Sequence, residues 1–189
     1  MRRHIFIAAL IVLAMGCSFS EKVPKDKAVM HQIAQKFLIQ MQHCYSCKLI
    51  AIGGSVKDHP GMEDQFFMFN FQYDLTKDQA RYLLLFCAQE FINSVNESEV
   101  YKQHLPRPYS YENLHLSFWF EDDANETLRT PKIAGISLQN NILRFRKYEG
   151  ALISSDRREI VESETLEEAK ALNEAYLKQL EAGLEVLPF

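Results

Sequence analysis

Between Asn113 and Glu121 the chain reads NLHLSFWFE, and its side chains alternate without a break. Leu114, Leu116, Phe118 and Phe120 fall on one side of an extended backbone, and His115, Ser117, Trp119 and Glu121 on the other. A period of two cannot present one buried stripe on a helix, so this segment is a strand with its leucine and phenylalanine side in a core. QFFMFNFQYD repeats the device with Phe67, Phe69 and Phe71. The second side of the first strand is less determined. Because His115 and Trp119 share it, it is a candidate contact face for a ligand or a protein. The surrounding aromatics make a covering helix the stronger expectation.

The rest of the pattern organises around these strands. Val29, Ile33, Phe37 and Met41 recur at a spacing of four, which predicts a first helix over about 26–43. KLIAIGGSVK, with a glycine irregularity at Gly53 and Gly54, and QFFMFNFQYD flank the Pro-Gly turn of DHPGMED and form a predicted hairpin. Thr76-Lys77-Asp78-Gln79 is a capping box that opens a long helix to about Val95, with Ala80, Leu84, Cys87, Phe91 and Val95 inward. IAGISLQNNILRFRKYE reads as two strands turned at Asn140-Asn141, since Asn tolerates positive φ. EIVES is a further short edge strand, and the capping box at Thr165-Leu166-Glu167-Glu168 starts a last helix that buries Leu166, Ala169, Tyr176 and Leu180. The fold class is therefore α+β. A single domain is expected, with a mainly antiparallel sheet of about five strands, about three helices, and the order α-ββ-α-βββ-α.

The N-terminus carries an address. Arg2, Arg3 and His4 precede an apolar run from Ile5 to Met15, too short to span a bilayer, which needs about 20 residues. VLAMGC then ends in Cys17 and opens into polar Ser18, Ser20, Glu21 and Lys22. This arrangement resembles the lipobox of bacterial lipoproteins, with Ala14 where that family usually has Leu, three positions before the cysteine. The resemblance implies a signal peptide over 1–16 and a diacylglyceryl-modified Cys17 on a tether over 17–27, with a globular domain over 28–189. It also implies a place in the bacterial envelope, and Ser18 after the cysteine points to the outer membrane facing the periplasm. An ordinary secretory cleavage, with Cys17 a bystander, is the competing reading. DLTKDQARYLLL followed by LPRPYSYENLHLSFWF is similar to segments of uncharacterised bacterial secreted proteins and lipoproteins, over residues 64–145, and implies no activity.

Charge narrows the partners. The chain has a net charge of −4. Without Arg2 and Arg3, 19 basic residues stand against 25 acidic ones, a net of −6. A mildly acidic chain with no long basic run is a poor candidate for general nucleic-acid binding, and none is expected. The expected partners are membrane lipid, through acylated Cys17, and an envelope protein. Arg144 and Arg146 of RFRK share one strand face and suit an acidic partner or lipid head groups.

Chemistry is otherwise sparse. A helix N-terminus lowers a thiol pKa, but HCYSC places Cys44 and Cys47 after a helix, where the dipole raises it instead. Haem attachment wants His after the second cysteine, and Lys48 stands there. The readings left open are a structural disulfide among Cys44, Cys47 and Cys87, packed free thiols, and a redox or zinc site that recruits His43. G-x-S-x-G, S-x-x-K, HExxH and phosphate-loop motifs are absent, so no catalytic residue and no cofactor is expected. The functional expectation is a membrane-anchored, non-catalytic binding or assembly module. A thiol or metal protein and a small-molecule carrier with a cavity between sheet and helix are its rivals.

Overall fold

The structure, a computed structural model, describes residues 25–56, 63–72, 74–103, 107–121, 133–149 and 158–183. Cys17 and the expected leader lie outside them. Helix α1 (Lys25–Tyr45) begins inside the segment expected to be tether and is followed by β1 (Lys48–Val56) and β2 (Glu63–Phe71). Next come α2 (Lys77–Glu97), the single turn α3 (Glu99–Lys102) and a 3₁₀ turn (Tyr111–Asn113). The chain continues through β3 (Leu114–Phe120), β4 (Gly135–Gln139), β5 (Ile142–Glu149), β6 (Arg158–Thr165) and α4 (Leu166–Glu181).

All six strands form one sheet in sequence order, β1-β2-β3-β4-β5-β6. The fold is α+β, with six strands and four α-helices among the described residues where about five and three were expected. EIVES proves to be the middle of a full eight-residue edge strand, and α3 adds one turn after α2. Both capping boxes form: Thr76 with Gln79 and Thr165 with Glu168 each exchange side-chain and backbone hydrogen bonds. Asn140 and Asn141 take φ of 52° and 60° and turn β4 tightly into β5.

One pairing breaks the antiparallel rule. β2 and β3 run parallel, with Phe67 opposite Leu116, Phe69 opposite Phe118 and Phe71 opposite Phe120. At about 1.5 Å per residue in a helix and about 3.3 Å in a strand, the 21 residues of α2 and the nine of β2 both span about 30 Å. The helix therefore carries the chain back over the strand it has just left, and β3 starts at the same end as β2.

The helices cover the face built by the phenylalanines. Phe37 of α1, Phe67 of β2 and Phe91 of α2 meet edge to face, their ring centres 5.1–5.2 Å apart. Leu116, Phe118, Ile136, Leu138, Leu143 and Phe145 continue this floor across the sheet, all buried. On α1 the buried stripe is Met30, Ala34, Phe37, Leu38 and Met41, turned slightly from the expected one, with Val29 and Ile33 at its rim. Each fully buried side chain of this size stabilises by about 1.5–3 kcal/mol. At the outer edge Ile50 falls in a bulge between Leu49 and Ala51 and stands 53% exposed, an irregularity that blunts pairing with another chain.

Candidate functional site

Strand pleating sends His115, Ser117 and Trp119 away from the helices, and among the described residues no helix lies over them. The expected covering helix is not found among the described residues. The described helices bury the phenylalanine side of the sheet, and pleating turns the opposite side of these strands away from them. The register brings the candidates together in three rows. Phe66 stands opposite His115, Met68 opposite Ser117, and Asn70 opposite Trp119. Ser117 faces Ser137, which faces Arg144; Trp119 faces Gly135, which faces Arg146. The middle row is thus short at Ser117 and Ser137, both buried beneath taller neighbours.

The aromatics and arginines interlock. His115 and Phe66 have ring centres 4.7 Å apart. Trp119 and Arg146 make a cation–π contact at 5.7 Å, while Arg146 Nη1 lies 2.6 Å from Glu159 Oε1. Burial, reinforced by the charge of Arg144, pulls the His115 imidazole below its usual pKa, so it is neutral at neutral pH. No carboxylate pairs with Arg144 among the described residues. The result is a half-exposed apolar surface crossed by guanidinium groups, suited to a partner that offers carboxylates beside apolar side chains.

Gly135 explains how the indole is seated. A Cβ there would stand 3.1 Å from the Phe118 carbonyl oxygen and 3.2 Å from Trp119 Cε3. The ring therefore lies against bare backbone. Gly→Ala usually stabilises by about 0.4–1 kcal/mol where it fits. Here Gly135→Ala is expected to destabilise by about 1–3 kcal/mol, and to shift the emission of Trp119, the only tryptophan, to longer wavelength. Urea unfolding followed by fluorescence reads both. An unchanged spectrum with a gain in stability would show that the indole is not seated there.

Among the described residues the cysteines do not pair. Cys44 is exposed in the last turn of α1, Cys47 is buried before β1, and Cys87 is buried in mid-α2; all three are free thiols. The structural disulfide therefore does not form in this structure. Burial pushes the Cys47 thiol up to about 11. Cys87 is pushed well up by burial and then by the neighbouring Cys47. Such thiols stay protonated and are poor nucleophiles and poor ligands. Among the described residues no three His, Cys, Asp or Glu side chains are placed to share a metal ion, so the zinc grouping with His43 is corrected as well. The space beneath the sheet that a carrier would need is filled by the Phe37–Phe67–Phe91 rings.

A charge network escaped the reading of the sequence. Arg81, 2% exposed in α2, sends Nε and Nη2 to the two carboxylate oxygens of Glu164 at 2.7 and 2.8 Å, and also pairs with Asp78. Lys77 bridges Glu164 at 2.8 Å and Glu162 at 3.0 Å, and Lys147 reaches Glu162 at 2.6 Å. The Lys77 ammonium also sits 4.5 Å from the Phe145 ring centre. A signal was available: period two puts Ile160, Glu162 and Glu164 on the side of β6 that faces the helices, and inward carboxylates call for cations from the overlying helix.

Comparison with known proteins adds no identity, because no family model, no curated protein and no solved structure matches the chain.

Proposed function

We propose that this protein is a non-catalytic contact module of the bacterial envelope. In this reading it is exported by its first 16 residues, held on a membrane through lipid on Cys17, and docked to another envelope protein by the open face of its sheet. The observation that supports the docking part is the half-buried surface of Phe66, Met68, His115, Trp119, Arg144 and Arg146, over which no described helix lies. The occupant is a protein segment that presents carboxylates beside apolar side chains, because the guanidinium groups interrupt an apolar face on a chain that is otherwise acidic. No described helix is long and apolar enough to cross a membrane, and in this reading attachment rests on the lipid. A diacylglyceryl cysteine supplies the two chains that stable anchoring needs.

The two parts are tested separately. Cys17→Ser is expected to move the protein from the detergent phase to the soluble fraction, and continued membrane partitioning would place the anchor elsewhere. For docking, a photo-crosslinking residue is introduced at Ser163, exposed on β6 beside the arginines, or at Gln179 on the helical side. A discrete adduct from the Ser163 position alone, abolished by Arg144→Glu, is the expected result. Adducts from both positions, or one indifferent to Arg144→Glu, would overturn the assignment of this face.

A further inference from the structure

The rows of the open face differ in height and in chemistry. Phe66 with His115 forms one row and Asn70 with Trp119 another. Between them run Met68, Ser117, Ser137, Arg144 and Ser163, each directly opposite the next. Across the antiparallel pairs such neighbours stand with Cβ atoms about 4.5–5.5 Å apart. Ser117 and Ser137 are 6% and 8% exposed. Their short side chains form the floor of a depression, and the half-buried Arg144 rises beside it.

The depression gathers hydrogen-bond donors around one free cation. Arg146 is already engaged, by Glu159 at 2.6 Å and by the Trp119 ring. Arg144 faces only Ser137 and Ser163, and no described carboxylate engages it. A guanidinium fork takes both oxygens of a carboxylate, and neighbouring hydroxyls donate to the lone pairs that remain. The single charge of Arg144 balances a carboxylate, whereas a phosphate dianion would leave one charge uncompensated between aromatic rows.

Spacing identifies the neighbours of that carboxylate. Successive rows on one side of a sheet lie two residues, about 6.6 Å, apart, which is also the repeat of same-side residues in any extended segment. A segment laid along the strands with its carboxylate over Ser117 and Ser137 therefore sets the side chains two positions before and after it on the two aromatic rows, Trp119 on one side and His115 with Phe66 on the other.

We propose that this depression seats an acidic side chain of the docked partner, flanked two residues away on each side by apolar ones. Arg144 takes the carboxylate, Ser117 and Ser137 donate to it, and the aromatic rows receive the apolar side chains. The inference rests on the docking reading above and names the pattern that this face selects: apolar, any, acidic, any, apolar.

The test is titration of the isotope-labelled full-length protein in detergent with the end-blocked peptide Leu-Thr-Glu-Thr-Leu. It is followed by the emission of Trp119, the only tryptophan, and by the amide signals of Ser117 and Ser137. Binding in the millimolar range is expected, with both signals moving. Leu-Thr-Gln-Thr-Leu and Ser-Thr-Glu-Thr-Ser are each expected to bind about tenfold more weakly. Arg144→Gln is expected to keep the native circular dichroism and to bind the Glu and Gln peptides alike. Equal binding of Glu and Gln peptides by the native chain, a preference that survives Arg144→Gln, equal binding of the Leu and Ser peptides, no binding at millimolar concentration, or shifts confined to other residues would each overturn the seat. An Arg144-dependent adduct from Ser163 with no preference for the Glu peptide would keep the docking face and remove the seat. A Glu-dependent peptide signal without any adduct would support the seat and remove the protein partner.

Discussion

Arg81→Met is expected to destabilise the protein by about 3–5 kcal/mol, because it removes the bidentate partner of a carboxylate that has little access to water. Glu164 is 9% exposed on β6, and its two oxygens take the Arg81 hydrogen bonds at 2.7 and 2.8 Å. Lys77 remains at 2.8 Å as partial compensation, so the lower half of the range is the better expectation. The cost belongs to the stranded charge rather than to the worth of the pair. Arg81→Met combined with Glu164→Met should therefore recover most of the loss, since buried pairs replaced by apolar side chains of similar volume are often neutral or stabilising. Urea unfolding of both variants decides the matter. If the double variant is as unstable as the single one, the ion pair itself holds β6 and α4 against α2.

The same network sets the acid limit of stability. Burial pushes the Glu164 carboxyl up, but hydrogen bonds from Arg81 and Lys77, with their charges, outweigh it and hold the group below the usual carboxylate range. Lys147 and Lys77 do the same for Glu162. The folded state then binds fewer protons than the unfolded chain. The stabilisation is complete above the unfolded value of about 4.3 and disappears as pH falls through the lower folded values. Glu164→Gln should accordingly flatten the acid limb of the stability profile. A profile with unchanged slope between neutral pH and the acid transition would refute the linkage.

Phe67→Ala has the second large effect, about 3–5 kcal/mol of destabilisation. Phe67 is fully buried and touches both helices that close the core, its ring centre 5.2 Å from Phe37 and 5.1 Å from Phe91. Deletion of the ring loses its transfer free energy, leaves a cavity that packed neighbours cannot fill, and forfeits two edge-to-face pairs of about 0.5–1.5 kcal/mol each. Thermal unfolding of Phe67→Ala beside Phe66→Ala separates the two sides of one strand. Phe66, half-buried on the open face, should cost far less, and equal losses would mean that the open face is not open.

Much of the architecture was legible because its signals are local. The alternation at 114–120, the phenylalanines at 67, 69 and 71, the two capping boxes and the Asn140-Asn141 turn each specify their own few residues, and all are realised as read. Of the candidate site, the common face of His115 and Trp119 followed from pleating alone. Its openness did not, because coverage depends on which side of the sheet the helices choose. That choice belongs to the summed apolar area of both faces.

Element type, the inward side of each strand and the place of the turns were thus settled by the order of residues, through periodicity and backbone preference acting over a few positions. Four things awaited the tertiary structure: the parallel match of β2 to β3, the gathering of Arg144 and Arg146 beside His115 and Trp119, the Arg81–Glu164 lock, and the separate burial of Cys47 and Cys87. Each joins residues distant in the chain, and register, charge compensation and thiol acidity become defined only when packing brings such residues within a few ångströms of one another.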